Sequence, residues 1–264
     1  MTGSLEAVEG ALDGWRGDEP FVLGLCGAQG SGKSTLSAGL AQRLNARGVR
    51  TAILSLDDLY LSHDRRAALA RDVHPLFAVR GVPGTHDVAQ GLALLEAVKA
   101  GRGVTLPRFD KATDDPAPET EWPRHDGPLD VLIFEGWCVG ARPQAETALA
   151  EPINALEAER DAEGVWRRHV NAMLAGPYAD LFSRIDRLAF LAAPGFEVVE
   201  GWRGQQEQAL RATAPEGARV MTDAEVAAFV QYYERLTRHI LSDMPAYADL
   251  TLKLGADRQL KDDQ

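Results

Sequence analysis

A glycine-rich segment near the start of the chain constrains the fold more than any other feature. It reads Gly27-Ala28-Gln29-Gly30-Ser31-Gly32-Lys33-Ser34-Thr35. This order fits the pattern G-x-x-x-x-G-K-[ST] of a phosphate-binding loop. The apolar run at residues 20–26 predicts a buried strand before it, and Leu36, Leu40 and Leu44 predict a helix after it. A glycine-rich turn could arise by chance, but a strand and a helix on either side favour a nucleotide-binding site.

The chemistry expected of this segment follows from its backbone and two of its side chains. Glycines permit a tight turn that directs backbone N–H groups inward, and the helix N-terminus adds a partial positive charge. Lys33 is expected to reach the β- and γ-phosphates, and the hydroxyl of Ser34 is expected to bind Mg²⁺. We therefore predict a nucleotide-binding protein with Mg²⁺ as its cofactor.

The composition is ordinary for a globular protein. Of the 264 residues, 45% are hydrophobic and 25% are charged, which is sufficient to bury a core in one large domain or two small ones. The net charge of −11 argues against nucleic acid or an anionic membrane as a partner. An acidic protein can still bind phosphate, because the loop uses local backbone dipoles.

The sequence contains no pattern typical of export or membrane insertion. No run of about 18 apolar residues occurs, and the first residues carry Glu6, Glu9 and Asp13 instead of a basic and apolar signal. Cys26 and Cys138 are too few for a disulfide framework or a metal site, so they are expected to be small buried hydrophobes. We expect a cytoplasmic protein.

Predicted strands and helices alternate along the chain, which indicates an α/β fold with a mostly parallel sheet. Residues 65–71 are predicted to be a polar connection and residues 107–128, with five prolines, a long loop, while residues 142–183 have a helical and charged pattern. Further strands are predicted at 50–56, 131–134, 188–193 and 250–254, and further helices at 5–12, 88–98, 196–213 and 222–241.

Two carboxylates follow predicted strands, where ligands bind in a parallel sheet. A single such residue could be a helix cap or a solvated strand end, but Asp57 and Glu135 together, beside a phosphate loop, favour function. Glu135 suits Mg²⁺, directly or through water, and Asp57 suits the proton of an attacking hydroxyl. We therefore predict Asp57, Lys33 and Glu135 as catalytic residues, with Ser34 and Glu135 at the metal.

The position of Asp57 carries two further expectations. A right-handed parallel connection is expected to bring its strand beside the first strand. Asp58 is the alternative candidate for this role. Successive residues of a strand point to opposite faces, so only one of the two carboxylates is expected to act on the attacking hydroxyl.

Four further segments stand in order along the chain: Ser55–Tyr60 (SLDDLY), Arg80–Asp87 (RGVPGTHD), Pro107–Lys111 (PRFDK) and Phe134–Trp137 (FEGW). In this order they resemble the D-glycerate 3-kinase family of the plant and fungal type, which is related to phosphoribulokinase, uridine kinase and pantothenate kinase. Residues 201–207 also resemble its Trp-Arg-x-Gln-x-Glu stretch. The resemblance extends from about residue 20 to residue 254.

The resemblance implies a three-layer P-loop kinase fold within a single domain over residues 1–264, with a mobile helical lid at about 142–183. It assigns Asp57 as the proposed base. Arg167 and Arg168 become lid candidates, although adjacent helical residues diverge, so only one of them is expected to contact phosphate. The acceptor-binding residues that it implies are Arg80, Thr85, His86, Asp87 and Lys111.

One segment departs from the family pattern. Members usually follow Asp-Lys-Ser with Gly-x-Gly-Asp-Arg, whereas residues 112–116 here read Ala-Thr-Asp-Asp-Pro. A cation that could hold an anionic acceptor is therefore missing, or is replaced by Arg108 or Arg124. The departure weakens the identity of the acceptor but not the family resemblance.

These observations predict an ATP-dependent kinase that transfers the γ-phosphoryl group to a small hydroxylated acceptor, with D-glycerate as the first candidate. A kinase for a nucleoside or a pantothenate-like alcohol, and a non-transferring ATPase or switch, are the alternatives. The sequence contains no guanine-reading Asn/Thr-Lys-x-Asp segment after a strand, while the long acceptor-like loops and Asp57 favour the kinase. A monomer and a dimer both stay open.

Replacing Lys33 with Ala should lower the rate of phosphoryl transfer by orders of magnitude and weaken nucleotide affinity much less. The substitution removes the side-chain cation of the loop but keeps its backbone N–H groups, so the loss falls mainly on the transition state. Steady-state kinetics and nucleotide titration measure the two effects. Near-normal turnover by the variant would contradict the assignment.

Overall fold

A central sheet of five parallel strands, flanked by helices on both faces, forms the frame of the molecule. The computed structural model describes residues 2–213 and 221–261. The strands are β1 (Phe21–Gly27), β2 (Thr51–Ser55), β3 (Val104–Thr105), β4 (Phe109–Asp110), β5 (Asp115–Pro116), β6 (Arg124–His125), β7 (Val131–Gly136), β8 (Arg187–Ala192) and β9 (Leu250–Lys253). The helices are α1 (Thr2–Trp15), α2 (Lys33–Ala46), α3 (His63–Asp72), α4 (Val88–Lys99), α5 (Ala155–Arg160), α6 (Val165–Ala175), α7 (Pro177–Phe182), α8 (Glu197–Thr213) and α9 (Asp223–Asp243).

The order of the strands in the central sheet is β2-β7-β1-β8-β9, and every neighbouring pair is parallel. β1 and β7 are buried along their whole length, as expected of parallel strands covered on both faces. The expectation that β2 lies beside β1 is wrong. β7 pairs with both of these strands and separates them.

Alternate residues of each strand enter two different cores, one on each face of the sheet. Leu23 of β1 belongs to a core formed with α1, α2 and α8, whereas Val22 belongs to a core formed with α4, α6 and α7. Cys26 and Cys138 are buried free thiols, as predicted. The three-layer α/β fold is therefore confirmed. Among the described helices, none has the length and apolar character needed to cross a membrane.

Two segments predicted as irregular contain regular structure. Residues 63–72 form α3, which Ser62 caps by accepting a hydrogen bond from the N–H of Arg65. The helix has little apolar periodicity, because Arg66 is buried and donates hydrogen bonds to main-chain carbonyls in the position that a hydrophobic residue would normally fill. The long loop contains the short antiparallel pair of β4 with β5, and it supplies β6, which pairs with β3 just before the loop.

The helices predicted as a lid pack against the main core. Trp166 of α6 and Tyr178 of α7 are buried there. Arg167 is only 2% exposed, and its guanidinium donates to Asp161 and to the main-chain oxygen of Leu149. The prediction that Arg167 contacts phosphate from a lid is therefore corrected, because its donors are bound inside the core.

Arg168 has the opposite environment. Its side chain is exposed and forms an ion pair with Glu146 at 2.7 Å. The two adjacent arginines thus diverge as the helical geometry requires, with one inside the core and one at the surface.

Replacing Arg167 with Met should lower the free energy of unfolding by about 3 kcal/mol, because it leaves the buried carboxylate of Asp161 without its charged partner. Replacing Arg168 with Met, the matched control, should change it by less than about 0.5 kcal/mol. Urea denaturation of both variants measures the difference. Equal effects of the two substitutions would show that the buried ion pair contributes no more to the free energy of unfolding than the exposed one.

Candidate active site

The phosphate loop joins the carboxyl end of β1 to the N-terminus of α2. Gly30 and Gly32 have φ angles of 75° and 90°, in the left-handed region that favours glycine. Gly30 also approaches Trp202 so closely that an added Cβ would lie 2.6 Å from the Trp202 Cβ. The loop conformation therefore requires glycine for both backbone and packing reasons.

Arg258 supports this loop from outside. Its Nε donates a hydrogen bond of 2.6 Å to the carbonyl oxygen of Gly30, and its guanidinium carbon lies 5.2 Å from the centroid of the Trp202 ring. The Trp202 indole N–H donates in turn to the carbonyl of Ala256. Arg258 was not predicted as a site residue, because it follows the last strand and belongs to no recognisable motif.

A serine and a carboxylate, both predicted as metal ligands, meet beside the loop. The Ser34 hydroxyl donates a hydrogen bond of 3.1 Å to Oε1 of Glu135, which lies near the carboxyl end of β7. Glu135 is 4% exposed, and its Oε2 is buried without a hydrogen-bond partner among residues 2–213 and 221–261. A bare buried carboxylate oxygen is costly, and Mg²⁺ prefers oxygen ligands of this kind. The pair therefore fits a magnesium ion.

Asp57 lies in a short 3₁₀ turn, Leu56–Leu59, directly after β2. Its Oδ1 accepts a hydrogen bond of 2.8 Å from the Tyr60 hydroxyl, and its Oδ2 accepts one of 2.6 Å from Nζ of Lys111. Burial would raise the pKa of this carboxyl, but Lys111, Lys33 and Tyr60 together lower it to about 2. Asp57 is therefore held as a carboxylate in the electrostatic field of the phosphate loop.

Asp58 faces a different part of the structure. Its carboxylate accepts hydrogen bonds from the N–H of Phe109 at 3.2 Å and from Arg108 at 3.3 Å, and burial raises its pKa. The two carboxylates diverge because they occupy a 3₁₀ turn, and not because of strand pleating as the sequence suggested. Asp58 thus ties the loop after residue 107 to the site.

Arg80 and the β4–β5 hairpin lie next to Asp57. The guanidinium of Arg80 forms an ion pair with Asp114 and lies 5.6 Å from the centroid of the Phe109 ring. That ring is 5.3 Å from the ring of Tyr60, the donor to Asp57. Arg80 and Lys111, predicted as acceptor-binding residues, are therefore brought to the same side of the site.

Thr85 and Asp87 have structural partners. The Thr85 hydroxyl donates to the carbonyl of Val82 at 2.7 Å. Asp87 caps α4 by accepting from the N–H of Gln90 at 3.0 Å, and it forms an ion pair with Arg65. These contacts fix the shape of the loop that the sequence analysis assigned to the acceptor.

His86 is buried between two tyrosines. Its ring stacks on Tyr60 at a centroid distance of 4.5 Å, and its Nδ1 lies 2.5 Å from the Tyr178 hydroxyl. Burial lowers the pKa of His86 to about 3, so the imidazole is neutral near pH 7. Its Nε2 is buried without a partner among the described residues.

Neither of the two arginines that could replace the missing family arginine is free in this structure. Arg108 is bound by Asp58, and Arg124 forms an exposed ion pair with Asp126. Tyr60 and Tyr178 were missed as site residues. Tyr60 could have been found, because it stands three residues after Asp57 in the same motif. Tyr178 lies far along the chain from these motifs, so no local pattern pointed to it.

Comparison with known proteins gives close relatives, although no family model matches. The chain is 37% identical over 225 residues to the uncharacterized kinase mug58 of Schizosaccharomyces pombe, covering 81% of this chain and 78% of that protein. It is 32% identical over 225 residues to the chloroplastic D-glycerate 3-kinase of Arabidopsis thaliana, covering 81% of this chain but 46% of the plant protein. The structure of D-glycerate 3-kinase from Cryptococcus neoformans matches with a TM-score of 0.76 at 27% identity, covering 98% of this chain and 96% of that one.

The opposite pKa shifts of Asp57 and Asp58 predict opposite pH dependences of stability. The folded pKa of Asp57, about 2, lies below its ordinary value of 3.8, so its stabilisation is present above pH 4 and is lost as the pH falls towards 2. The cost of Asp57→Asn in the free energy of unfolding should therefore shrink by about 1 kcal/mol between pH 6 and pH 3, after allowance for solvent screening.

Asp58→Asn is the matched control. Because the folded pKa of Asp58 is raised, its ionised form is disfavoured in the folded state, and the effect of the substitution should change with pH in the opposite direction. Urea denaturation at several pH values measures both. The same trend in the two variants would contradict the different environments described above.

Proposed function

Because this chain belongs to the P-loop kinases of the phosphoribulokinase, uridine kinase and pantothenate kinase group, together with D-glycerate 3-kinase, we propose that it phosphorylates D-glycerate with ATP. The product would be 3-phosphoglycerate. The observation that carries the proposal is the carboxylate of Asp57, held beside the phosphate loop with the ammonium of Lys111 bound to it. A hydroxylated acid offers a hydroxyl group to Asp57 and an anionic group to Lys111.

The proposed role of the phosphate loop is to bind and orient ATP. The backbone of Gly27–Thr35 would surround the phosphates, and Lys33 would contact their outer oxygens. Ser34 and Glu135 would hold Mg²⁺, which supplies neutralisation of phosphate charge when it is bound. Each of these contacts becomes stronger as negative charge moves during the transfer, so they favour the transition state.

Asp57 would accept the proton of the acceptor hydroxyl. As that proton leaves, the hydroxyl oxygen bonds to the γ-phosphorus, and the bond from the γ-phosphorus to the bridging oxygen of ADP breaks. Tyr60 donates to Oδ1 and so orients the carboxylate, and Oδ2, which accepts from Lys111 in this structure, would take the proton. The position after β2 supports this role, because ligands of parallel sheets bind at the carboxyl ends of the strands.

The acceptor carboxylate would bind to cations from two loops. Arg80, whose Nη1 is bound to Asp114 in this structure, would present its remaining N–H groups to the carboxylate, and Lys111 a compact point charge. His86 contributes a neutral, buried imidazole behind Tyr60, and Thr85 and Asp87 hold the surrounding loop in shape. The similarity of this chain to the D-glycerate 3-kinases of Arabidopsis thaliana and Cryptococcus neoformans supports this acceptor.

Asp57→Asn should lower kcat with D-glycerate by about 10²–10⁴-fold, the usual scale of acid–base assistance, and largely keep the binding of both substrates. The shape of the side chain is retained and its basic oxygen is lost. Coupled ADP-release kinetics measure kcat, and Asp58→Asn is the control. A drop of this size in the control, with Asp57→Asn unaffected, would move the base to the neighbouring residue.

The acceptor itself is tested by ADP release with Mg-ATP and a panel of D-glycerate, pantothenate and uridine. We expect release above the basal rate with D-glycerate. Stimulation by another acceptor alone would replace the proposed substrate, and no stimulation by any acceptor would favour an ATPase or switch.

A further inference from the structure

Lys111 forms an ion pair with Asp57, the residue proposed as the catalytic base. Nζ of Lys111 lies 2.6 Å from Oδ2 of Asp57, the oxygen that would accept the proton in the proposed reaction. Lys111 comes from the turn between β4 and β5, and its side chain is 59% exposed. Among the ion pairs within residues 2–213 and 221–261, it has Asp57 as its sole carboxylate partner. A flexible four-carbon stem can carry such an ammonium to another nearby anion.

This contact competes with the role proposed for Asp57. Tyr60 occupies Oδ1 and Lys111 occupies Oδ2, so both oxygens already accept a hydrogen bond. A charge-assisted bond on Oδ2 makes that oxygen a poor proton acceptor. The low pKa of Asp57 agrees with this geometry. The other charged or titratable groups around the carboxylate are Lys33, Asp58, His86, Cys138 and Tyr233.

We propose that the anionic group of the acceptor takes Lys111 from Asp57, so that the catalytic oxygen is exposed only when an anionic acceptor is bound. This inference rests on the proposed function. The ammonium of Lys111 keeps an anionic partner throughout, so the exchange costs little Coulomb energy. Lys111 is thus a specificity residue that acts on the rate as well as on binding.

The exchange leaves the chemical step balanced. The proton of the acceptor hydroxyl moves to Oδ2 of Asp57, and the hydroxyl oxygen forms its bond to the γ-phosphorus of ATP. The bond between the γ-phosphorus and the bridging oxygen breaks, and its electron pair leaves with ADP. After the phosphorylated acid departs, Asp57 releases the proton to water and Lys111 returns to Oδ2.

Two acceptors that differ only in charge separate this role from ordinary binding. D-Glycerate can draw Lys111 away, whereas D-glyceramide, with an amide in place of the carboxylate, leaves it on Asp57. For Lys111→Met we expect kcat/KM with D-glycerate to fall by about 100-fold, because the charge pair to the acceptor is lost. We expect kcat with D-glyceramide to rise by about 10-fold, because Oδ2 is no longer covered.

The change in kcat with D-glyceramide distinguishes the exchange from the other possible roles of Lys111. A lysine that only binds the acceptor carboxylate would leave kcat with D-glyceramide unchanged, and a lysine that only supports the loop would lower it. Either result overturns the exchange. Lys99→Met is the matched control. Lys99 is the last residue of α4, and its Nζ also lies 2.6 Å from an aspartate, Asp186. Both acceptors should retain wild-type kinetics in this variant, and equal melting temperatures confirm that each variant is folded.

Failure of the proposed function gives a different pattern from failure of the exchange. If the wild-type protein releases no ADP with D-glycerate but uses another acid, the same comparison is made with that acid and its amide, and the same signs are expected. If the active acceptor carries no anionic group, the exchange is overturned while the kinase activity stands. If no acceptor is active, both proposals are overturned.

Discussion

The parallel pairing of β1 with β7 is the constraint on which the site depends. In this register Leu25 lies opposite Glu135 and Cys26 lies opposite Gly136, so the phosphate loop and the carboxylate of Glu135 leave the sheet at the same level. β2 pairs with the other side of β7, with Ser55 opposite Glu135, and this places the turn that carries Asp57 at the same edge. One continuous ladder of backbone hydrogen bonds therefore aligns three chemically different groups, and the hydrogen bond from Ser34 to Glu135 joins two of them.

Most of the fold could be predicted from the sequence, because the strands of a covered parallel sheet are short apolar runs. β1 and β7 are such runs, and polar residues with a recognisable pattern follow both. The neighbours of β1 could not be predicted, since the rule for parallel crossovers fixes the handedness of a connection but not which strands become adjacent. The candidate residues of the site were predicted through local motifs. Contacts made across the chain, such as Arg258 with Gly30, had no local signal.

Buried arginines explain two further errors of prediction. Arg66, Arg167 and Arg235 each lie inside the protein and donate to main-chain carbonyls of loops as well as to a carboxylate. Loops that leave the sheet have carbonyls with no ladder partner, and a guanidinium with five N–H groups can satisfy several of them at once. In a sequence such an arginine is indistinguishable from a surface charge. This is why α3 was predicted as a polar connection and Arg167 as a lid residue.

The contact of Arg258 with Gly30 has a consequence for the order in which the protein matures during synthesis. The two residues are 228 positions apart in the chain, so the loop lacks its outer support until the segment after β9 has emerged. Chains emerge from the ribosome N-terminal end first at about 5–20 residues per second, so roughly ten seconds or more separate the two events. A nascent chain would therefore carry its phosphate-binding motif long before that motif is held in its final shape.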